Sequence, residues 1–188
     1  MTALVESFEE LSPEQIAACE EQLGVSLPES YKEFLLAQNG GHLPGACFLV
    51  PECGWVSLGI LYGICSLGQP CDLYTEQEHY RDFDLLPPGI IVIGNDPGNN
   101  KLLLDTNGEA RGYVYYWDAV NFFPASSEED GNTYFLAKSI QRFLENLGVG
   151  PEGPALHPTL AGPVRCKDEV PVRVAKVSSA LGRGEAGW

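Results

Sequence analysis

The sequence predicts an α+β fold: a mainly antiparallel sheet flanked by two N-terminal helices and a C-terminal helix. Three observations lead there. Residues 12–38 carry two helix patterns in close succession, each with a marked start and end. Residues 90–118 hold three apolar segments separated by Asn/Gly-rich turns, the pattern of an antiparallel meander. Leu136, Ile140, Phe143, Leu144 and Leu147 then recur at helical spacing.

Residues 1–11 read as an acidic lead-in. Ser12 opens the first helix as its cap, Pro13 suits the first helical position, and Gln15 completes a capping box. Ile16, Cys19 and Leu23 form the apolar stripe, Glu20 and Glu21 point outward, and Gly24 ends the helix. The second helix lies within L-P-E-S-Y-K-E-F-L-L-A-Q-N-G-G, residues 27–41. Pro28 again suits a first turn, Tyr31, Phe34 and Leu35 share one face, and Asn39, Gly40 and Gly41 supply the left-handed residues that stop a helix.

Cys47 to Val50 suits a strand, and residues 55–64 suit one long bent strand or a hairpin. After a loop at residues 68–70, residues 72–83 read as a short acidic helix with Leu73, Tyr74, Tyr80 and Phe83 interspersed. Residues 85–89 are a break. Ile90 to Ile93 is a strand apolar on both faces, residues 94–100 a turn, Lys101 to Asp105 a strand, residues 106–109 a hairpin turn and residues 112–118 a third strand. Residues 126–132 form an acidic loop that leads into the last helix, over residues 136–147, stopped by Gly148. The expected domain is therefore 1–148. Residues 149–188 lose the pattern under Pro151, Pro154, Pro158, Pro163 and Pro171, and are expected to be a disordered tail, with a weak edge-strand alternation at 170–177.

The 188 residues suffice for one domain with a sizeable core. No apolar run approaches the roughly 20 residues of a membrane helix, and residues 1–10 lack the basic-then-apolar order of a signal peptide, so a cytoplasmic protein is expected. The net charge is −15, from 26 acids and 11 bases. Residues 1–150 carry 22 acids and 6 bases, a net of −16, and the remainder is +1. That field repels phosphate backbones, which disfavours direct nucleic-acid binding, and draws in a basic partner. None of the six cysteines stands in C-x-x-C spacing, so reduced thiols serving as small core residues fit better than a metal or disulfide role.

Catalytic constellations are thin. A Cys–His hydrolase would need Cys47 or Cys53 beside His42 or His79, and nothing marks such a pair. Residues 94–101 miss the phosphate-loop spacing, because Asn99 and Asn100 stand where Gly and Lys belong. Asp96, Asp105 and Asp118 could gather on one rim of the sheet to hold a metal, but for Asp96 and Asp105 turn chemistry is the better reading. Along residues 113–117, Tyr113, Tyr115 and Trp117 share one face and Val114 and Tyr116 the other. Either both faces are covered, or one aromatic face binds a protein.

L-P-x-x-Y-K-x-F-L-L-x-x-N-G-G resembles the signature of the SUKH superfamily, which includes yeast cell-wall regulators of the Smi/Knr type and many bacterial immunity proteins. The resemblance continues at residues 96–100, 102–105 and 112–118 and covers about residues 10–147; the tail and the cysteine-rich residues 47–71 lie outside the pattern. It implies the same α+β architecture and a non-catalytic role. As an immunity protein it would bind and neutralise a toxin, often a basic nuclease, with no cofactor. As a regulatory or scaffolding module it would bind an endogenous protein. Acids near aromatics nominate Glu52, Trp55, Asp72, Glu76, Asp118, Glu128 and Glu129 as the partner-binding residues.

Overall fold

The N-terminal helix α1 (Pro13–Leu23) starts on the expected capping box. Ser12 N–H donates to Gln15 Oε1 (2.8 Å), Gln15 N–H donates to Ser12 Oγ (3.4 Å), and Gly24 at φ +68° ends the helix. Helix α2 (Glu29–Gln38) follows Pro28 and stops at left-handed Asn39. The two are tied by Glu20, which accepts from Leu27 N–H (2.7 Å) and pairs with Lys32 (3.0 Å). The computed structural model describes residues 8–51, 53–65, 71–82, 85–119, 123, 126 and 131–149. Its remaining elements, in chain order, are β1 (Gly41–His42), β2 (Ala46–Val50), β3 (Gly54–Ser57), β4 (Ile60–Leu61), α3 (Leu73–Asp82), β5 (Ile90–Asn95), β6 (Lys101–Asp105), β7 (Val114–Trp117), β8 (Thr133–Ala137), α4 (Ile140–Glu145) and β9 (Gly148–Val149).

The strands form two antiparallel sheets, six-stranded in the order β1-β4-β5-β6-β7-β8 and three-stranded in the order β3-β2-β9. The expected meander is β5-β6-β7. The single strand or hairpin expected over 55–64 is instead two strands in different sheets. The chain crosses between them at Leu58 and Gly59: Leu58 N–H donates to Ala46 O (2.8 Å) in one sheet and Gly59 N–H to Asn95 O (2.9 Å) in the other. Gly59 is required there, since a Cβ would sit 2.7 Å from Asn95 O.

A second correction concerns the last helix. Residues 133–137 pair with β7 as a strand, and only Ile140–Glu145 is helical. Thr133, Tyr134 and Phe135 favour a pleated edge, and Ser139 caps the helix late by accepting from Arg142 N–H (3.2 Å). Leu136 and Ile140 are therefore four apart without sharing a helix. The expected domain boundary after residue 148 falls inside β9, and residues 150–188, including the expected tail segment 170–177, lie outside the described residues.

Both faces of the large sheet are covered, so the aromatic strand is core. Lys101 and Leu103 pair across β6–β7 with Trp117 and Tyr115, and Trp117 meets Tyr80 of α3 at 6.0 Å. On the opposite face, Tyr116 packs on Phe48 (5.5 Å), which also touches Phe143 of α4 (5.5 Å). Tyr115, Tyr116 and Trp117 are buried and Tyr113 is half-buried. Strand β4 is too short to cover all of β5. Tyr62 N–H takes Ile93 O (2.9 Å), and the buried Gln77 amide takes Val92 O (2.7 Å) and Val92 N–H (2.9 Å), so a side chain completes the ladder.

Burial pushes the hydroxyls of Tyr31, Tyr62 and Tyr116 well above the usual tyrosine range, and that of Tyr80 up to about 12. A raised folded value means stability is fully present below the unfolded value of about 10 and is lost as pH rises through the folded one. Thermal melts are therefore expected to hold steady up to about pH 9 and fall steeply above pH 10. Tyrosinate absorbance should then appear together with loss of secondary structure; early tyrosinate formation in a folded protein would contradict this packing.

Candidate functional site

The acids nominated from sequence separate into internal and external groups. Asp72 is buried: Oδ2 accepts from Thr75 N–H (2.8 Å) and Thr75 Oγ1 (2.9 Å), capping α3, while Oδ1 accepts from Cys65 N–H (3.2 Å). Asp118 is fully buried. Its Oδ2 accepts from Phe123 N–H (2.9 Å) and its backbone closes on Asn132. Neither carboxylate is presented to solvent, because backbone N–H groups in their own loops claim them. Glu76 is half-buried on α3 and faces inward to Tyr62, Tyr80 and Lys101. Glu52, Glu128 and Glu129 lie outside the described residues.

Trp55 is exposed, 54% of its surface being open. It sits opposite Leu49, itself 55% exposed, in the β2–β3 register. The Trp55 ring lies over Gly148 of β9, where an added Cβ would come within 3.2 Å of it. Leu49 and Trp55 thus form an apolar pair on the outer face of the small sheet. Leu49 had no sequence signal beyond its place in an apolar run.

Asp96 and Asp118 share one end of the large sheet and Asp105 lies at the other, as the pairing of Lys101 with Trp117 and of Ile90 with Asp105 requires. The three do not gather, and among the described residues no group of three or more His, Cys, Asp or Glu could hold a metal ion. Asp96 and Asp105 do turn chemistry. Asp96 accepts from Asn100 N–H (2.9 Å), Asn100 Nδ2 (3.1 Å) and Tyr116 OH (2.7 Å), and Asp105 accepts from Asn107 N–H (2.8 Å). Beside Asp96, Lys101 Nζ donates to Asn99 Oδ1 (2.6 Å) and Tyr62 OH (3.4 Å). Desolvation pulls the Lys101 ammonium below its usual range, against the opposing pull of Glu76 and Asp96.

His42 Nδ1 bonds Gly59 O (2.7 Å), whereas Cys47 Sγ lies 3.8 Å from Gly45 O and from Ser57 Oγ, so these two are not paired. The side chain of His79 and all of His157 lie outside the described residues. A cavity of about 340 Å³ lies between the end of α1 and α3, lined by Leu23, Val25, Tyr80, Arg81, Pro87 and Ile91. None of the nominated residues lines it.

The exposed acid is concentrated elsewhere. Glu9 and Glu10, just ahead of α1, and Glu14, Glu21, Glu29 and Glu33, on the flanks of α1 and α2 turned away from Ile16, Cys19, Tyr31 and Phe34, are all exposed. The sole base in residues 9–33, Lys32, is engaged by Glu20. The solvent side of the two helices thus carries mainly anionic charge, and the exposed Arg81 and Arg111 approach it only at its edge, donating to Gln22 O (3.1 Å) and to Ser26 Oγ (3.1 Å) and Leu27 O (2.9 Å). The signal for it lies in the positions between the apolar stripes, where acids are also what any solvated helix face carries.

A sequence model of the SMI1 / KNR4 family (SUKH-1) matches residues 10–146. The chain is also similar to the uncharacterized protein YnaB of Bacillus subtilis (strain 168), at 28% identity over 123 residues, covering 64% of this chain and 69% of that protein. Among the described residues, no helix is long and apolar enough to cross a membrane.

Proposed function

The chain belongs to the SMI1/KNR4 family (SUKH-1), and on that premise we propose that it is a non-catalytic protein-binding domain that neutralises a basic, nuclease-type toxin in the cytoplasm. Family membership fits an immunity or regulatory protein-binding role. The observation that carries the reading further is the run of exposed glutamates on α1 and α2. Anionic charge of that density speeds encounter with a cationic partner and could occupy a groove that otherwise holds phosphates. The Leu49–Trp55 pair supplies the apolar anchor that charge alone lacks, since Trp is over-represented among residues that dominate binding energy. Glu52, Glu128 and Glu129 stay in the proposed surface on sequence grounds.

The two parts act on different rates, which gives the test. The probe is a purified basic nuclease-toxin domain. Replacing Glu14, Glu21, Glu29 and Glu33 with lysine is expected to slow association about tenfold at low salt and to flatten its salt dependence. Trp55→Ala is expected to leave association almost unchanged and to speed dissociation about thirtyfold, a loss on the order of 2 kcal/mol. Stopped-flow association and dissociation measurements read both. An unchanged on-rate in the charge-reversed protein counts against the acidic surface, and an unchanged off-rate in Trp55→Ala counts against the anchor.

A further inference from the structure

Two thiols flank the segment that joins β4 to α3 and face each other. Cys65 Sγ and Cys71 Sγ lie 4.0 Å apart, six positions apart in the chain, and both side chains are half-buried and reachable from solvent. The backbone around them is pinned on several sides. Gly63 bridges Asp72 in parallel, Gly63 N–H donates to Cys71 O (3.2 Å), and Leu73 N–H donates to Gly63 O (2.7 Å). Cys65 N–H donates to Asp72 Oδ1 (3.2 Å), and the Asn39 amide holds Ile64 at both its N–H (2.8 Å) and its C=O (2.9 Å). The chain on both sides of the pair is therefore fixed by contacts the sulfurs do not make. The sulfurs have to close from 4.0 Å to the roughly 2.0 Å of a disulfide.

We propose that Cys65 and Cys71 form a reversible disulfide, an oxidation site that staples the entry of α3 to the end of β4. The oxidant is a low-molecular-weight disulfide of the glutathione class. One protein thiolate attacks a sulfur of that disulfide, forming a mixed disulfide and releasing one small thiol. The second protein thiolate attacks the protein sulfur of the mixed disulfide, closes the loop over residues 65–71 and releases the second small thiol. Two cysteine thiols are oxidised, one small disulfide is reduced to two thiols, and the two cysteine protons end on those thiols.

The surroundings shape the rate of closure. Burial, with the Cys71 sulfur beside it, pushes the Cys65 thiol up to about 12. The reduced Cys65 is therefore not held as a stabilised thiolate. For the same reason closure accelerates as pH rises. Cys19 and Cys47 are buried, which shields them from the same oxidant.

The full chain, treated with oxidised glutathione at mildly alkaline pH, is expected to give a species lighter by two hydrogen atoms that still titrates four of its six thiols. Cleavage after Glu52 and Glu76 should yield a peptide in which Cys53 is alkylated and Cys65 is bonded to Cys71. Cys65→Ser and Cys71→Ser should each stop at a glutathione adduct, whereas Cys53→Ser and Cys166→Ser should still close. A wild-type protein that stops at glutathione adducts, or whose peptide carries free Cys65 and Cys71, overturns the proposal. So does a two-hydrogen loss that survives Cys65→Ser or Cys71→Ser.

Discussion

Gly40→Ala is expected to destabilise the fold by about 4 kcal/mol or more, a large share of the roughly 5–15 kcal/mol that holds a typical domain folded. The helix-ending Asn39-Gly40 does more than terminate α2. The Asn39 Nδ2 group donates to Glu9 O (2.8 Å) and Ile64 O (2.9 Å), and Oδ1 accepts from Ile64 N–H (2.8 Å). That clamp presses the backbone of residue 40 onto the chain after β4. A Cβ at Gly40 would meet Gly63 N, Leu61 O and the Tyr62 carbonyl carbon, each at 2.7 Å, and none of these backbone atoms can rotate away. Gly40 also sits at φ +73°, where an L-residue costs roughly a further 1–2 kcal/mol. Gly63 is the complement, since a methyl there would overlap the Asn39 carbonyl oxygen. Urea denaturation followed by circular dichroism measures the loss. An unchanged midpoint would mean that the contact opens without cost. Asn39→Ala should destabilise by a smaller amount, and the double variant should fall short of the sum, because both changes open one contact.

Asp96→Ala is the second large effect, at about 3 kcal/mol. Asp96 is only 7% exposed and receives three hydrogen bonds, two from Asn100 and one from Tyr116. Truncation takes the acceptor from a buried phenol and from a backbone N–H at once, and removes one of the negative charges that oppose the desolvation of Lys101. Adding Tyr116→Phe to Asp96→Ala should recover about 1 kcal/mol, since the phenol no longer needs an acceptor. A double variant no more stable than Asp96→Ala would show that Tyr116 finds another partner at no cost. Calorimetric melts of the four proteins in the cycle decide it.

These positions show which parts of the molecule are legible in its sequence. Helices α1 and α2 are readable because Ser12, Gln15, Gly24 and Asn39 act within a few residues of themselves. The β5-β6-β7 meander is readable because its turns are local. The crossing at Gly59 is not, because it is decided by Asn95, distant in sequence, whose carbonyl leaves no room for a Cβ. Strand β8 was hidden by a coincidence of spacing between Leu136 and Ile140, and only the late cap at Ser139 separates strand from helix. The site was less legible than the fold. Sequence shows that Asp72 and Asp118 carry charge, but not that Thr75, Cys65 and Phe123 would turn N–H groups toward them. Trp55 could be read as a surface aromatic, whereas the exposure of Leu49 depends on which face of the small sheet the core occupies.

Strand β9 has a practical consequence for anyone dividing this protein. Family similarity ends at residue 146, yet Gly148 and Val149 still hydrogen-bond to Cys47 and Ala46. A fragment trimmed to the similarity limit would strip β2 of a neighbour and leave the Trp55 indole hanging over empty space where Gly148 had been. Such a fragment would present a raw strand edge next to bare tryptophan, a combination that invites self-association. The natural cutting point lies beyond residue 149.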